Sequence, residues 1–354
     1  MKKITTIVTL LLIFSFMLVS VSEIGIVKAQ STIYITVDGT VEGTDKIQRD
    51  ENVYTFTDNI NDSIAVEKDD VVIDGAGYSL QGNGSRFGID ISERSNVIVK
   101  NMQIDNFHYG IYIENSLNIF VTGNSITNNT YGIDLVSSSK NNSISRNYIA
   151  SNEVFGIRLY GCPENDILEN NITNNKKNGI LLYFSDNNTL SENNITANEW
   201  GINLYGSGDN NVSGNSITNN KIGLWFFGSH NNNILRNNIT DNQISMYFEM
   251  QCLNNTVYHN NFVNNDLQFF ADVGSVNSWD NGIEGNYWSN YNGTDNDGDG
   301  IGDTPYIIAE SNQDNYPLVN VIPEFPSWII LPLFMIAPLI VIIFKKKVFR
   351  LIQD

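Results

Sequence analysis

Aliphatic residues recur along most of the chain in short groups separated by asparagine and glycine. A glycine opens most copies of the pattern; an Ile, Leu or Met follows it, and a second apolar residue stands two positions later. The opening residues lie 22 to 24 positions apart, at Gly88, Gly110, Gly132, Gly156, Gly179, Gly201, Gly223 and Ser245. A nearly constant period in this range is typical of repeat architectures.

Three columns of asparagine accompany the apolar positions and lie five residues apart within each copy. The central column consists of Asn101, Asn124, Asn147, Asn170, Asn193, Asn215, Asn237 and Asn260. The later column consists of Asn106, Asn129, Asn152, Asn175, Asn198, Asn220, Asn242 and Asn265. The earlier column is broken at Ile119 and consists of Asn96, Asn142, Asn165, Asn188, Asn210, Asn232 and Asn255. Asparagine suits turns, and stacked amides both donate and accept hydrogen bonds, so we predict amide ladders at the turns.

Two apolar columns lie between the asparagines. One consists of Ile98, Val121, Ile144, Ile167, Leu190, Val212, Ile234 and Val257; the other runs from Ile126 to Phe262 and departs at Gln103 in the first copy. Apolar residues two apart face the same side of a strand. No segment of the repeats shows the 3.6-residue period of a helix. We therefore predict an all-β fold with three short strands per turn, roughly 22–23 residues per coil and about nine to ten coils.

The repeat G-I-x-[IL]…N-x-[IV]-x-x-N-x-I-x-x-N resembles the repeats of the NosD-like family of right-handed parallel β-helices. The resemblance covers residues 71–288, and the segment Val71 to Gly84 is similar to the opening coil of that family. It implies a right-handed parallel β-helix of the broad class that includes carbohydrate-binding and sugar-hydrolysing proteins. The repeats describe a scaffold, so the resemblance by itself does not specify a function.

The residues before the repeats form two further segments. Residues 1–29 predict a signal peptide, with Lys2 and Lys3 before an apolar run and a small-residue cleavage site ending at Ala29; an uncleaved anchor is the alternative. Residues 30–70 do not follow the repeat. Because a solenoid exposes unpaired strand edges at its ends, we predict an N-terminal cap there.

The C-terminal part of the chain predicts membrane attachment. An acidic loop and C-terminal cap are expected at 289–318 and a linker at 319–326. Residues 327–344 are apolar and, at about 27 Å as a helix, long enough to cross a bilayer, and the basic tail 345–354 then lies in the cytoplasm. The order PEFPS, apolar run and basic cluster is similar to sorting and anchoring signals of archaeal surface proteins, which implies that the helix is either retained or replaced by a lipid anchor. We expect a single-pass cell-surface protein.

Charge and cysteine content narrow the functional classes. The chain contains 20 basic and 39 acidic residues, for a net charge of −19. Residues 30–326 contain 13 basic and 37 acidic residues, or −24, which disfavours nucleic acid as a partner. Cys162 and Cys252 lie four coils apart, roughly 19 Å, so we predict no disulfide between them. Glycosylation is expected among the Asn-x-Ser/Thr sites Asn61, Asn83, Asn128, Asn141, Asn171, Asn187, Asn194, Asn211, Asn238, Asn254 and Asn292.

The acidic loop has the spacing of a calcium site. Asp295, Asp297, Asp299 and Asp303 occupy positions 1, 3, 5 and 9, with a glycine at position 6 and the carbonyl of Ile301 at position 7. The loop resembles those of dockerins and thrombospondin-type repeats, but a tyrosine replaces the glutamate of position 12. We predict a structural Ca²⁺ ion with Asp314 as a candidate extra ligand; a solvated acidic turn is the alternative.

A strip of outward aromatic residues is the main functional signal. Period-2 alternation places Tyr160, Tyr183, Tyr205 and Phe227 on the outside of successive coils, with Trp225 and Tyr247 in the neighbouring column. Such a strip suits stacking on sugars or contact with a surface-layer protein, and coverage by a loop or a second copy is the alternative. Alternation also predicts that the column before each glycine is core, at Phe87, Tyr109, Tyr131, Phe155 and Trp200.

Two other functions are open. A polysaccharide lyase or hydrolase needs clustered carboxylates, for which outward Asp90, Asp134 and Arg158, with Glu114 nearby, are candidates. The NosD-like resemblance also implies an accessory role in the maturation of a copper enzyme. Copper sites use His, Met and Cys, but His108, His230 and His259 do not cluster in sequence. His230 and Cys252 are expected to be neighbours in adjacent coils, and a pair at a turn is a weak site.

Overall fold

The computed structural model describes residues 31–84, 86–271, 274–309 and 312–323. These residues form strands and turns, with no α-helix among them. The expected signal peptide, transmembrane segment and basic tail lie outside the described residues. Where the chain is described, no helix is long and apolar enough to cross a membrane.

The strands are short and follow one another around each coil. Those before the repeats are β1 (Thr32–Ile35), β2 (Val41–Glu42), β3 (Ile47–Asp50), β4 (Val53–Phe56), β5 (Ser63–Val66), β6 (Val71–Asp74) and β7 (Ser79–Gln81). The repeating strands are β8 (Phe87–Ser92), β9 (Val97–Lys100), β10 (Gln103–Asp105), β11 (Tyr109–Glu114), β12 (Phe120–Thr122), β13 (Ser125–Thr127), β14 (Tyr131–Val136), β15 (Ser143–Ser145), β16 (Tyr148–Ala150), β17 (Phe155–Tyr160), β18 (Asp166–Leu168), β19 (Asn171–Thr173), β20 (Asn178–Tyr183), β21 (Thr189–Ser191), β22 (Asn194–Thr196), β23 (Trp200–Tyr205), β24 (Asn211–Ser213), β25 (Ser216–Thr218), β26 (Ile222–Phe227), β27 (Asn233–Leu235), β28 (Asn238–Thr240), β29 (Ile244–Glu249), β30 (Thr256–Tyr258) and β31 (Asn261–Val263). The last are β32 (Phe270–Ala271), β33 (Tyr287–Trp288), β34 (Tyr306–Ala309) and β35 (Asn312–Asp314).

Three long sheets run the length of the solenoid. Sheet 1 has twelve strands in the order β2-β1-β5-β8-β11-β14-β17-β20-β23-β26-β29-β32. Sheet 2 has eleven, in the order β3-β4-β6-β9-β12-β15-β18-β21-β24-β27-β30, and sheet 3 has ten, from β33 and β31 back to β7. Within the repeats, equivalent strands of successive coils pair in parallel. The predicted all-β parallel solenoid of about ten turns is therefore confirmed.

The aliphatic columns form one continuous core. In a single coil, Ile180 and Leu182 of sheet 1, Leu190 of sheet 2 and Ile195 of sheet 3 are fully buried. Each packs over its equivalent in the next coil, because the parallel register places like residues side by side. The three inward faces thus close around the axis and exclude water from the centre.

The asparagine columns form the expected ladders inside the turns. Asn193 donates from Nδ2 to the Ile167 carbonyl at 2.8 Å and to Asn215 Oδ1 at 2.9 Å. Its own Oδ1 accepts from the backbone N–H and the Nδ2 of Asn170, both at 3.0 Å. Each amide is satisfied by its neighbours in the adjoining coils, so the ladder removes the cost of burying polar turn groups.

The first copy has a different register from the one predicted. Val99, rather than Ile98, lies beside Val121, and Ile104 lies beside Ile126, so Gln103 does not interrupt the apolar column. Asn101 is exposed with a φ of 55°, while the neighbouring Met102 donates its N–H into the ladder. Asparagine also suits the outer, left-handed turn position. The prediction placed Asn101 in the ladder, and the predicted register of this copy was therefore wrong by one residue.

A fourth inner ladder is made of serine and cysteine. Its members are Ser116, Ser139, Cys162, Ser185, Ser207, Ser229, Cys252 and Ser275. The N–H of Cys162 donates to Ser185 Oγ at 3.0 Å, and the N–H of Cys252 donates to Ser275 Oγ at 3.1 Å. Both cysteines are buried members of this ladder, and no disulfide joins them, as predicted. Their 22- to 23-residue spacing was visible in the sequence.

The ends of the solenoid are built differently. The expected N-terminal cap contributes strands to the sheets, because β1 pairs in parallel with β5 and β4 pairs in parallel with β6. Two antiparallel hairpins, β1–β2 and β3–β4, lie at the outer edge. At the other end Asp314 terminates the central ladder, accepting from the N–H of Asn286 at 2.7 Å. The indole N–H of Trp288 donates to the same carboxylate at 2.9 Å.

Candidate functional site

The outer face of sheet 1 carries three columns of side chains in register. Column A contains Phe87, Tyr109, Tyr131, Phe155, Asn178, Trp200, Ile222 and Ile244. Column B contains Asp90, Tyr112, Asp134, Arg158, Leu181, Asn203, Trp225, Tyr247 and Phe270. Column C contains Ser92, Glu114, Val136, Tyr160, Tyr183, Tyr205, Phe227 and Glu249. Aromatic side chains occur along the whole face, whereas the charged ones, apart from Glu249, lie in the earlier coils.

The aromatic residues of column C form one uninterrupted stack. Ring centroids are 5.1 Å apart between Tyr160 and Tyr183, 4.7 Å between Tyr183 and Tyr205, and 4.3 Å between Tyr205 and Phe227. The rings are within 11° of parallel. Because the faces lie against one another, the stack presents mainly ring edges and tyrosine hydroxyl groups to the outside, and Tyr160 at its end is 50% exposed.

Phe184 adds a ring at the edge of this stack that period-2 alternation did not predict. Its ring is perpendicular to those of Tyr183 and Tyr205, at 4.7 and 5.8 Å, and its side chain is 57% exposed. A Cβ atom on Gly206 would lie 2.5 Å from this ring, so the glycine provides the space that it occupies. The sequence signal was a phenylalanine at the position where the neighbouring coils have glycine, at Gly161 and Gly206.

Trp225 and Tyr247 lie beside the stack in column B. Their rings are nearly parallel with centroids 6.0 Å apart. Trp225 also contacts the edge of Trp200 in column A at 4.8 Å and donates its indole N–H to Glu249 at 3.1 Å. The structure therefore brings the six predicted aromatic residues onto one face and adds Trp200 and Phe184.

The prediction that column A is core is wrong. Phe87, Tyr109, Tyr131, Phe155 and Trp200 are half-buried on the outer face, and Phe87 stacks on outward Tyr112 at 4.7 Å. The reason is that each opening glycine and the residue after it are both buried, which interrupts the alternation. A Cβ atom on Gly201 would lie 2.5 Å from the Gly223 carbonyl oxygen, so only glycine permits this close approach of the coils.

An ion pair joins two adjacent coils in column B. Arg158 donates from Nε to Asp134 Oδ1 at 2.8 Å and from Nη2 to Oδ2 at 2.6 Å, and the Asp134 side chain is fully buried. Burial raises the pKa of Asp134, and Arg158 opposes that rise. The guanidinium lies 5.4 Å from the Tyr131 ring centroid and 5.5 Å from that of Phe155. This bidentate arrangement holds the carboxylate in place and is mainly structural.

A second group of polar residues lies in the two preceding coils. Burial is the main cause that raises the pKa of Asp90; the Ser92 hydroxyl opposes it and the charge of Glu114 adds to it. Tyr112 donates to Glu114 Oε2 at 3.2 Å, and burial together with Glu114 raises the pKa of Tyr112 to about 12. A carboxyl with a raised pKa and a second carboxyl are the groups that glycoside hydrolysis uses, so Asp90 and Glu114 are the candidates for such chemistry on this face.

In the acidic loop, three of the predicted ligands converge. One carboxylate oxygen each from Asp295, Asp297 and Asp299 lies within 4.8 Å of the others. Asp303 instead accepts hydrogen bonds from Thr294 and from the backbone N–H of Asn296. The carboxylate of Asp314 lies at the end of the central ladder and is not a member of this acidic group.

A sequence model of the family described as "Periplasmic copper-binding protein (NosD)" matches residues 28–210 and 150–293. The crystal structure of the Dettilon tailspike protein is similar at 15% identity and a TM-score of 0.53, covering 73% of this chain and 57% of the tailspike chain. A double mutant of the periplasmic alginate epimerase AlgG is similar at 17% identity and a TM-score of 0.52, covering 69% of this chain and 82% of the epimerase chain. These structures show the shared fold alone. Comparison with curated protein sequences found no match.

Proposed function

The chain belongs to the NosD family, and from this premise we propose that its β-helix is a non-catalytic module that binds carbohydrate or another cell-surface component. The family description places its members in the periplasm, in agreement with a body that lies outside the cytoplasm. The proposed binding surface is the outer face of sheet 1. The C-terminal segment of the chain, residues 327–344, would hold this body at the membrane.

The observation that carries the proposal is the unbroken aromatic stack from Tyr160 to Phe227, with Trp225 and Tyr247 beside it. Its rings repeat along the solenoid at 4.3 to 5.1 Å. An elongated partner lying along the solenoid therefore meets the same groups several times. Aromatic rings provide apolar contact area to sugar rings, and tyrosine hydroxyl groups add polar contacts at low entropic cost.

The direct test is retention of the purified chain in gels that contain dissolved polysaccharides. Changing both Tyr183 and Tyr205 to Ala should abolish retention, because it removes the middle of the stack. Phe120→Ala with Tyr148→Ala is the matched control, since these rings are 44% and 45% exposed on sheets 2 and 3. Equal retention of wild type and the sheet 1 variant would refute the proposal.

We also infer that the acidic loop binds Ca²⁺ as a structural ion. Three carboxylates at this separation repel one another, and a hard cation with oxygen ligands removes that repulsion. Gly298 and Gly300 have positive φ angles of 77° and 91°, which suit the tight turn of such a loop. The backbone N–H groups of Gly298 and Gly300 donate to Asp295 and hold its carboxylate in the loop. The trio, which converges without Asp303, is the basis of this proposal.

Isothermal titration of the purified chain with CaCl₂ tests the calcium proposal. We expect heat of binding and a raised Tm with Ca²⁺, and both should disappear when Asp295 and Asp299 are changed to Asn. Asp209→Asn with Asp241→Asn is the control, because both aspartates are exposed at other turns. Absence of heat with the wild-type chain would contradict the proposal.

The family description names copper, but the described residues do not fit a copper centre. His230 lies beside Cys252 in the adjacent coil, but His230 Nδ1 accepts the backbone N–H of Leu253 at 3.1 Å. The Cys252 thiol donates to the Glu249 carbonyl at 3.2 Å. Among the described residues, no histidine or cysteine belongs to a converging group of three ligands. Both thiols are buried in the Ser/Cys ladder. The acidic trio is the group of ligands that converges among the described residues, and carboxylates suit hard cations rather than copper.

A second candidate function is hydrolysis or lysis of a polysaccharide at Asp90 and Glu114. The raised pKa of Asp90, to which Glu114 contributes, favours this candidate. Release of reducing ends from polysaccharides measures it, and Asp90→Asn should abolish that release. Activity that survives this substitution would exclude Asp90 as the acid.

A further inference from the structure

Two asparagines on the outer face of sheet 1 differ from those of the ladders. The side-chain oxygens of Asn178 and Asn203 are buried and accept no hydrogen bond from the described protein. The residues are only 2% and 5% exposed. Asn203 faces outward, because Ile202 and Leu204 on either side of it are fully buried in the core.

Their neighbours place both residues beside one pair of tryptophans. Asn178 lies between Phe155 and Trp200 in column A. Asn203 lies between Leu181 and Trp225 in column B. Because Trp200 and Trp225 contact each other at 4.8 Å, the two acceptors flank a single aromatic cluster in the middle of the face.

Burial of an acceptor without a donor is unfavourable, and such groups in folded proteins call for an explanation. The scaffold does not require these two amides, since leucine and isoleucine occupy equivalent positions of the same columns. The inner ladders show that this fold satisfies buried asparagines when they are structural. An external donor therefore explains the two oxygens better than a role in folding does.

We propose that Asn178 and Asn203 determine the specificity of the surface by accepting hydroxyl donors of a neutral polysaccharide that packs against Trp200 and Trp225. This inference rests on the proposed carbohydrate-binding function and specifies the class of ligand. Sugar hydroxyl groups supply the missing donors, and the apolar faces of the sugar suit the indole rings. Because neither oxygen is exposed, binding requires a flanking side chain to move.

The charges around the cluster favour a neutral polymer over a polyuronate. Glu199 lies between Lys177 and Lys221, at 3.1 and 3.5 Å, and so balances part of their charge. Glu249 holds the indole N–H of Trp225. Residues 30–326 have a net charge of −24, which repels an anionic chain at long range.

The test measures binding and stability in the same variants. We expect Asn178→Leu with Asn203→Leu to weaken binding of neutral glucan, mannan or galactan, whichever the wild type binds, about tenfold, as loss of two neutral hydrogen bonds implies. The Tm should stay equal or rise, because leucine removes the unpaired acceptors. Asn194→Leu, on the exposed face of sheet 3, is the control and should change neither. Wild-type binding should also change tryptophan fluorescence.

The outcomes separate this inference from the proposed function. If the Tyr183/Tyr205 variant loses retention but the asparagine variant keeps its affinity, the carbohydrate site stands and the role of the asparagines is refuted. If the wild type prefers polygalacturonate to neutral polymers, the proposal that the ligand is neutral is refuted, and carbohydrate binding stands. A lowered Tm in the leucine variant shows that the asparagines are structural. If no polysaccharide is bound, carbohydrate binding and this inference both fail.

Discussion

At the scale of single residues, asparagine is what makes the turns of this solenoid possible. A turn that points inward buries backbone N–H and C=O groups, and the amide side chain of each ladder asparagine provides both a donor and an acceptor for them. Asn193 takes part in contacts with Asn170, Ile167 and Asn215, so it connects three successive coils. Exposed asparagines such as Asn194 lie next to the ladder without this role.

Changing Asn193 to Ala should lower the free energy of unfolding by about 3 kcal/mol, because several buried partners lose their hydrogen bonds. Urea unfolding followed by circular dichroism measures the change. Asn194→Ala is the matched control, and we expect its effect to stay below about 0.5 kcal/mol. Similar losses in both variants would show that the ladder has no special role.

At the scale of elements, the six-residue strands of sheet 1 determine which side chains meet. Each begins with an outward residue, continues with two buried residues, in most coils a glycine and an aliphatic one, and then alternates. This local irregularity places column A on the outside and brings it beside column B. The ion pair of Asp134 and Arg158 exists because the parallel register sets the two residues side by side.

Changing Arg158 to Met should lower the free energy of unfolding at pH 7 by about 3–5 kcal/mol, because it leaves the Asp134 carboxylate buried without its partner. The pKa of Asp134 is already raised by burial and should rise further. The variant should therefore regain stability relative to wild type as the pH falls and Asp134 becomes protonated.

Arg146→Met is the control for this variant, since Arg146 and Glu169 form an ion pair whose side chains are 70% and 44% exposed. Its effect should be below about 1 kcal/mol. Replacing both Asp134 and Arg158 with apolar residues should restore stability. If the double replacement were as unstable as Arg158→Met, an unpaired buried charge would not be the cause.

At the scale of the whole molecule, the ladders make the two ends of the solenoid unequal. Each side-chain amide of the central ladder donates to the next asparagine toward the C-terminal end, from Asn124 to Asn147 and onward to Asn286, and its second N–H donates to a carbonyl of the preceding coil. At the end of this ladder, Nδ2 and the backbone N–H of Asn286 both donate to the carboxylate of Asp314, at 3.3 and 2.7 Å. Burial raises the pKa of Asp314 to about 6, although its hydrogen bonds with Trp288 and Asn286 oppose the rise.

A carboxyl whose pKa is higher in the folded state binds protons preferentially in that state. Its contribution to stability is therefore complete below about pH 4 and is lost as the pH rises through about 6. The unfolding free energy of the wild type minus that of Asp314→Asn should therefore be more positive at pH 4 than at pH 7, by about 2 kcal/mol. Urea unfolding at a series of pH values measures it.

Asp38→Asn is the control for the pH series. Hydrogen bonds from Thr36 and Thr40 lower the pKa of Asp38 to about 2, so this group stays ionised from pH 4 to pH 7. The difference in unfolding free energy between Asp38→Asn and the wild type should therefore not depend on pH in that range. The same flat profile for Asp314→Asn would show that Asp314 does not titrate as described.

Much of the fold could be predicted because its information is local and repeated. The spacing of Ile180, Leu182, Leu190 and Ile195 within one coil is sufficient to indicate three inward faces. The candidate site was predicted less completely. The alternation of strand residues predicted that Tyr183 and Tyr205 face outward. Phe184 belongs to a turn, and no other copy of the repeat has an aromatic residue at its position.

The sequence by itself determined the period, the inward aliphatic positions and the amide ladders, because each coil repeats the same short-range requirements. Only the tertiary structure decided which way Trp200 points, which residues of the first copy join the ladders, and which acceptors remain unpaired on the outer face. Those features depend on how closely one coil approaches the next. A repeated pattern specifies that coils stack, but backbone contact between neighbouring coils at the opening glycines sets the direction of the side chains beside them.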